Sequence, residues 1–175
     1  LLNYLTSMNY VLENDLDLIS ALVAEIRETV QQRWIFDENE SLRLASAVDE
    51  ALTNAYFHGN LEVSSDLRED DPNAYHDLAN ARRKEDPYQE RLIHVNVELS
   101  RKEVVITIRD EGPGFNPDGL PDPTMPGYLE RASGRGVLLM RAFTDDVRYN
   151  TIGNVVVLKK RSSKSQNGNY VLDEA

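Results

Sequence analysis

Glu50, Asn54 and His58 stand four residues apart within the stretch from Val48 to Gly59, a spacing that lines them along one face of a helix. A glutamate can take a proton or orient a water, and an asparagine carbonyl is a hard oxygen ligand suited to Mg²⁺. The same stripe also suits a half-solvated amphipathic helix, so the stretch alone leaves both readings open. Further along, Asp110-Glu111-Gly112-Pro113-Gly114-Phe115 offers a carboxylate beside two glycines that let backbone approach a flat or charged ligand. An aspartate placed so can accept a hydrogen bond from an exocyclic amine such as that of adenine. Ser133-Gly134-Arg135-Gly136 precedes an apolar helical run, and free N–H groups at a helix start favour phosphate. Arg131 and Arg135 add positive charge there. Each glycine cluster alone also makes ordinary turns; together with the Glu/Asn stripe they read as an ATP–Mg²⁺ site beneath a lid.

The elements that must position these residues follow from patterning. Leu44, Val48, Ala51, Leu52 and Ala55 form the buried stripe of the Glu50 helix, which Asp37 and Glu40 open as a capping-box variant and Gly59 is placed to stop. Before it, Asn14 with Asp17 starts a helix whose apolar positions Ile19, Leu22, Val23, Ile26 and Val30 run to about Trp34. Trp34 and Phe36 read as packing residues between the helices, and Tyr10-Val11-Leu12 as an edge strand. Residues 61–90 are dense in mixed charge, with a short helix expected around Ala74 to Arg83, and read as a solvated elaboration or a partner-binding arm. Ile93 to Leu99 and Val104 to Ile108 alternate apolar and polar residues, as an antiparallel hairpin does. Val137 to Phe143 reads as a helix, and Val147 to Thr151 with Val155 to Leu158 as a closing hairpin. His76 and His94 read as surface residues. The economical arrangement is an α+β two-layer sandwich, with helices on one face of a mixed, mostly antiparallel sheet.

The chain has 175 residues, no cysteine and a net charge of −11. This is one domain's length; residues 1–161 are expected to form it and 162–175 a disordered tail. The acidity argues against a nucleic-acid binder, and no apolar run is long enough to span a bilayer; lack of cysteine suits a cytoplasmic protein. Five of the seven prolines and six of the nine glycines fall between Gly112 and Gly136, and so long a loop is usually functional.

In this order, Glu50 to Gly59, Asp110 to Phe115 and Gly134 to Gly136 resemble the N box and two glycine boxes of the Bergerat-fold (GHKL, histidine-kinase-like) ATPases. The resemblance continues through Phe143 to Val147, Gly153-Asn154 and Lys159 to Arg161. It is closest to the bacterial anti-sigma-factor serine/threonine kinases. It implies the Bergerat ATP-binding fold, with Glu50 as catalytic base toward a substrate serine and Asn54 holding Mg²⁺ against the phosphates. It places Asp110, Gly112, Gly114, Phe115, His58 and Asn154 around the nucleotide, with Ser133, Gly134, Arg135, Gly136 and Val137 at the phosphates. Residues 116–133 become an ATP lid. It implies a STAS-type antagonist protein as substrate, a sigma factor as second partner, and a homodimer.

Three features depart from that pattern. Asn154 and Val155 follow Gly153 where a threonine is usual, the 61–90 insertion replaces a short link, and the lid is rich in proline. Rival expectations are a non-catalytic ATP-binding partner-switching module, the catalytic fragment of a sensor histidine kinase, and a mechanochemical ATPase of the gyrase, chaperone or mismatch-repair kind.

Overall fold

Five strands, all paired antiparallel, form one sheet in the order β1 (Thr6–Leu12), β2 (Ile93–Leu99), β3 (Glu103–Arg109), β5 (Val155–Arg161), β4 (Asp146–Tyr149). The computed structural model describes residues 5–119 and 135–163. The sheet is thus antiparallel throughout rather than mixed, because β5 inserts between β3 and β4, the two consecutive strands that run in the same direction. One face is apolar: Ile93, Val95, Val97, Val104, Ile106, Ile108, Val156 and Leu158 are all buried. On it lie α1 (Leu16–Gln32), α2 (Glu38–Asn54) and α5 (Arg135–Phe143), with α2 packed between the other two. The two-layer α+β sandwich is the one expected.

Each helix follows from its residues. The capping box at α2 is complete: Glu40 N–H donates to Asp37 Oδ1 at 2.8 Å and Asp37 N–H to Glu40 Oε2 at 3.3 Å. The cap of α1 is Asp15, one residue later than the expected Asn14, and it accepts from Asp17 N–H at 2.8 Å. Asn14 is instead buried, donating to the carbonyls of Tyr88 and Arg91 and accepting from Asn60. Ile19, Leu22, Ile26 and Val30 bury the core face of α1.

Gly59 does not end α2. The helix runs on into a π-helical turn, Ala55–Asn60, and positive φ among glycines is confined to Gly114 and Gly153 in the described residues. The insertion also differs from a solvated elaboration. Its α3 (Ser65–Asp70) buries no residue fully, with Leu67 packed half-buried against the core, and α4 (Pro72–Arg82) drives Tyr75 and Ala79 into it. Tyr75 stacks on Phe57 with ring centroids 4.7 Å apart. Arg82 Nη1 donates to the carbonyls of Leu61 and Glu62, fastening the insertion to its own entry. Phe36 is buried as expected, whereas Trp34 sits at φ 57° with 79% of its surface exposed, because the turn between α1 and α2 points it outward. Ser162, expected to open the tail, is buried and donates to the Ile35 carbonyl at 2.7 Å. Residues 164–175 lie outside the described residues. No helix among the described residues is long and apolar enough to cross a membrane.

Candidate functional site

Because β3 pairs with β5 and not with β4, the end of β3 meets the turn between the last two strands. Asp110 N–H donates to the Asn154 carbonyl at 3.0 Å, and Phe115 N–H to the Ile152 carbonyl at 2.9 Å. The two positive-φ glycines make this closeness possible. A Cβ on Gly114 would stand 1.9 Å from the Ile152 oxygen, and one on Gly153 2.3 Å from the Phe115 oxygen. Both glycines adopt φ 77°, which side chains disfavour. Asn150 braces the turn, accepting from the N–H groups of Asn154 and Val155 and donating to Asn154 Oδ1.

Between this turn and the polar stripe of α2 is a cleft of about 720 Å³, within the size range of small-molecule sites. Glu50, Asn54 and His58 line one wall, and Asp110, Gly114, Phe115, Gly136, Val137 and Asn154 are also among the lining residues. The structure therefore brings nine of the expected site residues around one hollow. Gly112 stands behind Asp110, its N–H donating to Asp110 Oδ1 at 2.9 Å. Ser133, Gly134 and the side chain of Arg135 lie outside the described residues, as does most of the expected lid. Arg131 does too.

The two ends of the cleft differ in chemistry. At one end Asp110 is enclosed by glycines: a Cβ on Gly59 would lie 2.4 Å from its Cγ, and one on Gly112 would lie 2.1 Å from the Gly59 oxygen. Gly59 thus serves the carboxylate rather than the helix end, a role its position after an apolar stripe does not reveal. Burial raises the Asp110 pKa to about 6, opposed by the Gly112 hydrogen bond. A buried carboxylate with a free lone pair is built to accept a hydrogen bond.

At the other end Glu50 sits against the first turn of α5, where a Cβ on Gly136 would stand 1.8 Å from Glu50 Oε1. Burial raises the Glu50 pKa, while the Arg68 charge and a side-chain hydrogen bond from Asn54 lower it. An ionised carboxylate only accepts, so Asn54 turns its amide N–H₂ toward Glu50 and leaves its carbonyl oxygen for another partner. His58 Nδ1 donates to the Val63 carbonyl at 2.6 Å, and burial lowers its pKa. The imidazole is therefore neutral, with Nε2 as an acceptor. No group of three or more acidic or histidine side chains placed to hold a metal occurs among the described residues.

Asn154, expected around the nucleotide, lines the cleft, and its side chain is engaged with Asn150 and, at 3.4 Å, with the Asp110 carbonyl, holding the turn beside Asp110. Other contributors escape the sequence reading. Asn60 is fully buried and accepts from Glu111 N–H at 2.8 Å, tying the π-helical turn to the glycine loop. His94, read as a surface residue, pairs with Glu111 at 2.7 Å on the solvent face. Ser65, Arg68 and Glu69 of α3 enter the cleft lining from the insertion.

Comparison with known proteins agrees with this geometry. The histidine kinase-like ATPase domain matches residues 12–160. An anti-sigma F factor of Shouchella clausii (strain KSM-K16) is 28% identical over 151 residues, an alignment that covers 82% of this chain and 79% of that protein. The match spans the capped helix, both walls of the cleft and the closing hairpin, so the chain belongs to the histidine kinase-like ATPase family.

Proposed function

We propose that the protein is an ATP-dependent serine/threonine kinase of the anti-sigma-factor type, which phosphorylates a STAS-type antagonist protein and thereby regulates a sigma factor. The observation that carries this reading is Glu50, a half-buried carboxylate with a raised pKa, set beside the α5 start in the cleft that also holds Asp110. Plain binding of a nucleotide does not call for a proton acceptor at that end. The name of the Shouchella relative points the same way.

In this reading Asp110 accepts from the adenine amine, and Gly114 lets the base lie close. Asn54, with its carbonyl oxygen left free by Glu50, is the protein's ligand to Mg²⁺; a single carboxamide fits an ion that keeps several waters and phosphate oxygens. When bound, Mg²⁺ neutralises charge on the phosphates. The N–H groups at the α5 start do the same from the other side. The serine hydroxyl oxygen bonds to the terminal phosphorus as the bond to the bridging oxygen breaks. Its proton passes to the Glu50 carboxylate and ADP departs. Positioning and charge stabilisation do most of the work in such transfers. The setting is cytoplasmic, and a homodimer is the expected assembly.

Incubation with labelled ATP and a STAS-type protein tests this. Label is expected on a serine of the partner, and Glu50→Gln should reduce transfer about 10²–10⁴-fold while ATP still binds. Nucleotide-dependent complex formation without label would instead make the protein a binding module.

A further inference from the structure

The cleft must hold a polyphosphate within a chain of net charge −11, and its described lining includes Glu50, Glu69 and Asp110. Among the described lining residues Arg68 is the one lysine or arginine. No described carboxylate lies within ion-pair distance of its guanidinium. The group lies 6.0 Å from the centre of the Tyr75 ring. Tyr75 is itself buried and stacked on Phe57, which sits in the turn that continues α2 beyond Asn54. The platform under Arg68 is therefore fixed to the helix that carries Glu50 and Asn54. Its other fastening is Arg82, which clamps the carbonyls of Leu61 and Glu62 at 2.8 and 2.7 Å. Arg68 thus stands on the side of the cleft formed by α2 and its continuing turn.

We propose that Arg68 contacts the terminal phosphate of the bound nucleotide, so that the 61–90 insertion supplies a cation that the described lining otherwise lacks. A guanidinium offers a planar fork of donors suited to phosphate oxygens. Its place over the Tyr75 ring, within reach of a cation–π contact, favours a position at the cleft wall. The charge of Arg68 acts on the ionisations of Glu50, Tyr75 and His58, whereas Arg91 and Arg109 are the cations acting on Asp110, so Arg68 lies toward the Glu50 side. The insertion is then part of the nucleotide site. This inference rests on the ATP reading above.

Calorimetric titration of wild-type protein, Arg68→Ala and Arg68→Lys with Mg-ATP and Mg-ADP tests it. Arg68 is exposed, so both variants should melt like wild type without nucleotide. The alanine variant is expected to bind ATP about tenfold more weakly, the loss of a charge-assisted contact, with ADP affinity nearly unchanged. Lysine should restore part of the loss. Equal weakening for ATP and ADP, or none, overturns the Arg68 assignment. Wild-type protein that binds neither nucleotide overturns the ATP reading itself.

Discussion

Asp110 shows at the scale of one residue how a site can be kept at the expense of stability. Its pKa rises from 3.8 to about 6 in the folded chain, so the folded state holds that proton more tightly than the unfolded one. The stability this contributes is complete below about pH 4 and is lost as pH rises through 6; at pH 7 the ionised group burdens the fold by of order 2–3 kcal/mol. Asp110→Asn keeps the shape and can still accept from Gly112 N–H. It should therefore melt several degrees above wild type at pH 7.5, with the gap closing by pH 4.5. The same variant should lose ATP, because its amide would present a donor to the adenine amine. A second residue-scale prediction concerns Gly136. Alanine is the better helix former, yet its Cβ would meet Glu50 Oε1. Gly136→Ala should cut phosphate transfer about 10²-fold by displacing Glu50, with little change in thermal melting.

At the scale of elements, the helices and strands were legible because their signals are local. The Asp37–Glu40 box, the 3–4 spacing of α1 and α2 and the alternation of β2 and β3 each lie within a few residues of one another. What was not legible depends on contacts across the fold. Gly59 looks like a helix stop because glycine commonly is one, and only Asp110, far along the chain, explains it. Trp34 looks like core by its type alone. Tyr75 and Ala79 lie four apart among charges, a pattern too sparse to show that α4 is anchored. Tyr75 is nevertheless buried and stacked on Phe57, so Tyr75→Ala should cost about 3–5 kcal/mol in urea unfolding. It should also lower ATP affinity, since it removes the platform beneath Arg68. Phe57, Asn60 and Asn14 tie the insertion and the glycine loop to the same turn, so nucleotide binding should slow hydrogen exchange in α4 as well as at the cleft.

At the scale of the whole molecule, the sheet order decides the site. With β3 next to β5, Asp110 and the Gly153 turn come together, and α2 lies across the sheet to close the hollow. The central claim is that this hollow takes adenine at its Asp110 end. A calorimetric competition between ATP and GTP in the presence of magnesium measures that most directly. Guanine presents a carbonyl where adenine presents its amine, so it would set an acceptor against the Asp110 carboxylate. ATP is expected to bind saturably and GTP at least about tenfold more weakly; equal affinity for the two, or no binding of ATP, would contradict the account.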